Sequence, residues 1–159
     1  YGDKYSRKEL KIMTDDKEII FREIYKNNVV PIMGFMDMFE LIKSKKILVG
    51  IASNAIRKNV KMILSELKIY EKFDSIICGD EVKRGKPDPE MFDETIDRFN
   101  LKKEECLIFE DSVEGVSAAV NSRVDVVGIT SSTSGEILID KGCITTIDNY
   151  LNFDMSIYG

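Results

Sequence analysis

Histidine is absent from the 159 residues, and so is tryptophan. Without an imidazole the chain can build no Ser-His-Asp triad, no Cys-His nucleophile pair, no histidine-based zinc site and no histidine phosphorelay. The three cysteines, Cys78, Cys106 and Cys143, are odd in number, widely spaced and set within apolar runs. That pattern argues against a disulfide framework or a Cys-x-x-Cys metal site, and a reducing, cytoplasmic location is the expectation. Proline is scarce (3) and glycine modest (10), which removes collagen-like, low-complexity and disordered classes. Apolar runs stop at about six or seven residues where a bilayer-spanning helix needs about 20. No secretory signal opens the chain, because Tyr1-Gly2-Asp3-Lys4 leads into a charged segment. Positive charge is not in excess either: 23 Lys plus Arg against 28 Asp plus Glu leaves −5, so a nucleic-acid partner is not expected. Chemistry here must come from carboxylates, lysines, hydroxyls, main-chain N–H groups and a hard metal ion.

What is present divides in two. Residues 1–28 are helical in character and highly charged. Thr14 followed by Asp15, Asp16 and Glu18 predicts a helix start, and Ile20, Phe21, Ile24 and Tyr25 form one apolar stripe that Asn27-Asn28 ends. Pro31 and Gly34 then punctuate the chain as a linker, and Phe35, Met38, Phe39 and Ile42 lie at helical spacing.

From Lys46 onward short apolar runs alternate with amphipathic stretches. Ile47-Leu48-Val49-Gly50-Ile51-Ala52 predicts a strand buried on both faces, as do Ile76-Ile77-Cys78 and Cys106-Leu107-Ile108-Phe109, with further strands at 124–129 and 144–147. Between them, helical stripes run through Ile56, Val60, Ile63, Leu64 and Leu67, through Met91, Phe92, Ile96 and Phe99, and through Val113, Val116, Ala119 and Val120. Strands alternating with helices imply right-handed crossovers and an α/β, doubly wound parallel sheet of Rossmann-like kind. About 150 residues is one domain. The first residue is Tyr rather than Met, so the chain is expected to begin partway through a longer protein.

Open parallel sheets bind ligands at the carboxyl ends of their strands. After the first run stand Ser53-Asn54, after the second Gly79-Asp80 and then Lys86 between Gly85 and Pro87, and after the third Glu110-Asp111-Ser112. Each has an ordinary reading. Ser53 or Asn54 would cap the following helix, Lys86 would be a solvated loop lysine, Glu110 and Asp111 would complement a helix dipole, Asp80 and Glu81 would be exposed turn residues, and 130–134 a polar loop. Together, however, a hydroxyl, a lysine and two adjacent carboxylates at one sheet edge suit a phosphoryl group with a divalent cation. Carboxylates with waters and phosphate hold Mg²⁺, lysine offsets anionic charge, and a serine hydroxyl with helix-start N–H groups donates to phosphate oxygens.

Three segments, ILVGIASN (47–54), GKPDPEMF (85–92) and LIFEDSVEGVSAA (107–119), resemble motifs two, three and four of the haloacid dehalogenase superfamily. They are most similar to its helical-capped phosphatases and the β-phosphoglucomutase-like group. The resemblance covers about residues 29–148. It implies a core domain over 29–159 and a remnant of a helical cap over 1–28. It implies that Ser53, with Asn54 beside it, binds phosphate, that Lys86 steadies nucleophile and phosphate, and that Asp111 with Glu110 holds Mg²⁺. The implied reaction is hydrolysis of small phosphorylated metabolites through an aspartyl-phosphate. The family's Asp-x-Asp first motif is missing from the sequence, so the chain alone is expected to be inactive. Ala55 and Ile56 replace residues that grip a second phosphate in the mutase, which favours a phosphatase over a phosphosugar mutase. Arg123 stands where the family usually has Gly. A receiver-like signalling domain fits less well, since its lysine follows its acids, and a non-catalytic phosphate-binding scaffold of the same fold is the remaining alternative.

Overall fold

The structure is a computed structural model and describes residues 5–151, 153 and 154. The first helix, α1 (Arg7–Tyr25), begins seven residues before the expected start at Thr14. Its cap is a reciprocal box: the Ser6 hydroxyl accepts from the Glu9 N–H, and the Glu9 carboxylate accepts from the Ser6 N–H at 2.8 Å. Thr14 lies inside the helix and donates its hydroxyl to the Leu10 carbonyl at 2.9 Å. The helix ends at Tyr25, where Asn27 takes a positive φ of 61°. α1 buries none of its residues, and Ile12, Ile20 and Ile24 stay at least half exposed. It is tied to the rest of the chain through Asn59, which accepts from Arg22 at 2.8 Å and donates to Glu18.

The remaining elements follow the expected alternation. They are α2 (Phe35–Ser44), β1 (Gly50–Ser53), α3 (Arg57–Glu66), β2 (Ser75–Cys78), α4 (Glu90–Phe99), β3 (Leu107–Glu110), α5 (Val113–Ser122), β4 (Asp125–Ile129), α6 (Gly135–Asp140) and β5 (Thr145–Ile147). Every strand pair is parallel. β1 is shorter at its start than the apolar run suggests. At Val49 the N–H donates to the Asp74 carboxylate (2.8 Å) and the carbonyl accepts from the Asp74 N–H (2.9 Å), so a side chain replaces the ladder. The polar stretch 130–134 leads directly into α6, a helix the sequence pattern did not disclose.

Among the described residues the sheet is in two pieces, β1–β2 and β3–β4–β5. The register aligns Ser53 with Cys78 in one piece and Glu110 with Gly128 in the other. Burial follows the same division. β4 is buried at every position after Asp125, whereas β3, equally apolar in sequence, is nowhere fully buried and β1 begins exposed. The core correspondingly forms two clusters. Phe39, Val60, Leu64, Ile69 and Cys78 pack under the first piece, and Phe92, Val116, Val126 and Leu138 are among those under the second. α4 connects them by packing against β1, β2 and α5. Between the pieces lies a cleft of about 1030 Å³, walled by 49–53 on one side and 107–111 on the other.

The chain after β5 returns over this cleft. The Tyr150 ring sits 5.6 Å from Phe35 and 5.5 Å from Phe109, and Phe153 stacks edge-on against Phe109 at 5.0 Å. The Tyr150 N–H donates to the Met33 carbonyl at 2.9 Å. Gly34, at φ 78°, faces this returning segment so closely that a Cβ would lie 2.6 Å from the Leu151 nitrogen. Only glycine fits both demands.

Candidate functional site

The carboxyl ends of β1 and β3 meet at one end of the cleft, where Ser53, Lys86, Glu110 and Asp111 all line it. Ser53 is the last residue of β1. Its hydroxyl oxygen accepts from the Ala55 N–H at 3.2 Å, which closes a tight turn and leaves the hydroxyl proton to donate elsewhere. It does not cap α3. The α3 cap position is Ile56, whose side chain makes no cap bond, and the Arg57 N–H donates instead to Asp80 Oδ1 at 2.9 Å. Asp80 therefore has a structural task that its exposed position in a turn concealed.

Asn54 acts on the neighbouring loop. Its Oδ1 accepts from the Lys86 N–H at 2.9 Å and its Nδ2 donates to the Lys86 carbonyl at 3.3 Å. The carboxamide thus clamps the main chain of the lysine loop from both sides. Gly85 makes room for the carboxamide, since a Cβ there would come within 2.7 Å of Oδ1, and Gly79 makes room for the Asn54 main chain, whose carbonyl oxygen a Cβ would meet.

The clamped loop directs the Lys86 side chain inward. Its ammonium pairs with the Glu110 carboxylate and stands 4.7 Å from the centre of the Phe92 ring. The two side chains are only 8% and 9% exposed, so this lysine is not the solvated one that a Gly-Lys-Pro loop suggests. Burial pushes the Glu110 carboxyl up from its ordinary range, against the pull of the Lys86 charge. Glu110 also rests on the first turn of α5. A Cβ on Gly115 would fall inside its carboxylate, while Ser112 caps that helix by accepting from the Gly115 N–H at 3.0 Å.

Asp111 faces a different set of partners. Its Oδ2 accepts from the Ser131 hydroxyl at 3.0 Å and its carbonyl accepts from the Ser132 hydroxyl at 2.9 Å. These serines belong to the stretch first read as a bland polar loop, and only folding shows that they hold Asp111. Tyr150 closes the same region, its pKa pushed up to about 12 by burial and by the Asp111 and Glu110 charges. Among the described residues no group of three or more acidic, cysteine or histidine side chains is gathered for a metal. Asp111 and Glu110 are oxygen donors of the kind Mg²⁺ takes, one or two carboxylates with water and phosphate completing the shell, although the Glu110 carboxylate is held by Lys86. No helix among the described residues is long and apolar enough to cross a membrane.

Residues 3–129 match the family model described as haloacid dehalogenase-like hydrolase. A phosphorylated carbohydrates phosphatase of Thermotoga maritima is 31% identical over 135 residues, which are 84% of this chain and 61% of that protein. A validoxylamine A 7′-phosphate phosphatase of Streptomyces hygroscopicus subsp. limoneus is 27% identical over 111 residues, 70% of this chain and 52% of that protein. The chain thus spans between about half and two thirds of the length of these relatives. A crystal structure of a family IA, variant 3 hydrolase from Entamoeba histolytica superposes with a TM-score of 0.87 at 24% identity, covering 96% of this chain and 70% of that one. With parallel α/β architecture, three motifs in order at one sheet edge and a family match over most of its length, the chain belongs to the haloacid dehalogenase-like hydrolases.

Proposed function

We propose that this chain forms the phosphate- and cation-handling part of a phosphatase acting on small phosphorylated metabolites. The observation that carries the reading is the convergence of Ser53, Lys86, Glu110 and Asp111 on one end of a single cleft. Ser53 donates its hydroxyl proton to a phosphate oxygen. Lys86, set by Asn54, places a fixed ammonium beside the anion, where a low-dielectric wall strengthens it. Asp111, with Glu110 next to it, would hold Mg²⁺, which offsets phosphoryl charge when bound. Residues 1–28 are read as part of a helical cap and 29–159 as the core.

In this reading the attacking group is an aspartate on an Asp-x-Asp segment, and no Asp-x-Asp occurs anywhere in the sequence. The chain by itself therefore binds phosphate without turning over phosphomonoesters. Replacement of motif-two positions by Ala55 and Ile56 favours hydrolysis to water over transfer between two phosphate positions of a sugar.

The test is titration calorimetry with inorganic phosphate, with and without Mg²⁺, alongside a turnover assay on sugar phosphates. Expected are saturable phosphate binding tightened by Mg²⁺, weakening in Ser53→Ala, loss of the Mg²⁺ effect in Asp111→Asn, and no turnover. Phosphate binding that ignores both substitutions would overturn the site. Mg²⁺-dependent turnover abolished by Asp111→Asn would overturn the inactivity of the chain alone.

A further inference from the structure

Glu110 and Asp111 are adjacent in sequence and line the same cleft, yet the fold treats them differently. Glu110 has a full counter-charge in the buried Lys86 ammonium. Among the described residues no ion pair includes Asp111. Its carboxylate is held instead by a neutral donor, the Ser131 hydroxyl on Oδ2 at 3.0 Å, while the Ser132 hydroxyl holds its carbonyl at 2.9 Å. These serines follow Thr130, whose hydroxyl donates to Asp148 and whose N–H donates to the Ile147 carbonyl at 3.0 Å. Three successive hydroxyls therefore have separate tasks: Thr130 fastens the loop to the end of β5, Ser132 fixes the Asp111 main chain, and Ser131 fixes the Asp111 side chain. The last of these bonds is open to solvent, where a hydrogen bond adds little to folding. Its effect is local. It restrains rotation of the carboxylate and occupies Oδ2, which leaves Oδ1 without a partner among the described residues.

We propose that Ser131 is a positioning residue for the divalent cation: it turns Asp111 so that one oxygen, Oδ1, is offered, and in doing so it favours Mg²⁺ over Ca²⁺. The inference rests on the reading of Asp111 as the cation-holding acid. With Glu110 matched to Lys86, Asp111 carries the negative charge left uncompensated there, so the orientation of this one carboxylate decides the fit. Mg²⁺ demands near-octahedral geometry and keeps several waters, whereas Ca²⁺ takes about six to eight oxygens in a looser shell and readily uses both oxygens of one carboxylate. A carboxylate pinned through Oδ2 suits the first ion and is a poor chelate for the second. Hydrogen bonds that orient a metal-binding carboxylate are worth about 10–100-fold in metal affinity, far more than such a bond contributes to folding. The contrast between the two serines is part of the inference. Ser132 touches only the main chain, so its loss loosens Asp111 without choosing between its oxygens.

The probe is Mn²⁺, an oxygen-seeking ion of octahedral habit, titrated into the full chain. Binding is followed by loss of the paramagnetic resonance signal of the free ion, and the bound ion is then displaced by Mg²⁺ and by Ca²⁺ in separate titrations. Ser131→Ala should weaken Mg²⁺ by about tenfold and Ca²⁺ by less, so that the ratio of the two dissociation constants moves toward Ca²⁺. Ser131→Thr, which keeps the hydroxyl, should restore the parent ratio. Ser132→Ala should weaken both ions alike and leave the ratio where it was. An unchanged Mg²⁺ affinity in Ser131→Ala would overturn the proposal. So would an equal loss of both ions, which is what general loosening of the loop produces, or a failure of Ser131→Thr to rescue. Asp111→Asn separates this inference from the reading beneath it. If Asp111→Asn abolishes Mn²⁺ binding while Ser131→Ala does nothing, Asp111 is the ligand and only the role of Ser131 falls. If Mn²⁺ binds equally well to Asp111→Asn, or does not bind the parent saturably, the cation reading fails and the inference falls with it.

Discussion

Removing the charge on Lys86 probes whether the ammonium is truly held away from water. With 8% and 9% of the two side chains exposed, Lys86→Met leaves the Glu110 carboxylate buried without a counter-charge. Breaking a buried pair in this way costs about 3–5 kcal/mol, a large part of the roughly 5–15 kcal/mol available to a domain. The loss should depend on pH with a definite sign. Burial already raises the Glu110 carboxyl, and taking away Lys86 raises it further. The folded state then binds more protons than the unfolded one above about pH 4.3, so stability falls as pH rises through that window, by up to about 1.4 kcal/mol per unit. Urea unfolding followed by circular dichroism is the assay. At a slope of about 1–3 kcal/mol per molar, the midpoint at neutral pH should drop by roughly 1–5 M and partly recover in acid. The double variant Lys86→Met/Glu110→Met, which removes both charges, should restore most of the loss. A midpoint unchanged at all pH values would mean that water reaches the lysine, and the buried-pair description would be wrong.

Two further substitutions test other parts of the fold. Arg123 caps α5 at φ 61° with an exposed side chain, a conformation that glycine adopts without Cβ strain. Arg123→Gly should therefore stabilise by about 0.5–1 kcal/mol and raise the melting temperature by roughly 1–4 °C; an unchanged or lower melting temperature in calorimetry would contradict this. Hydrogen bonding to Arg57 holds the Glu81 carboxyl below its usual range, so its stabilisation is present above the ordinary carboxyl pKa and lost as pH falls through the depressed one. Glu81→Gln should be less stable than the parent at pH 7, by at most about 1 kcal/mol for so exposed a pair. That gap should close in acid, and a gap unchanged from neutral to about pH 3 would refute the assignment.

Local pattern was enough for the alternating elements, because each strand run and each helical stripe is encoded within its own ten or so residues. The same is true of the motif order that places Ser53, Lys86, Glu110 and Asp111 after strands. Where the sequence reading slipped, the deciding partner was of a kind that local pattern does not rank, three residues away in one case and twenty or more in the others. The Ser6–Glu9 box outcompeted Thr14 for the start of α1, and Asp74 replaced the ladder at Val49 from 25 residues away. Asp80, Ser131 and Ser132 looked like ordinary polar turn residues, and nothing in their neighbours announces that they support Arg57 and Asp111.

By itself the sequence determined the parallel α/β class, the positions of most of its elements and the residues set at the strand ends, since periodicity and local chemistry act over short stretches. Only the tertiary structure decided that Asn54 spends its carboxamide on the Lys86 loop, that Lys86 is buried against Glu110, and that two half-sheets face each other across a cleft. Those outcomes depend on which groups lose water and which edges find partners when distant segments pack. Burial and backbone pairing are properties of the whole fold, and no single stretch of the chain encodes them.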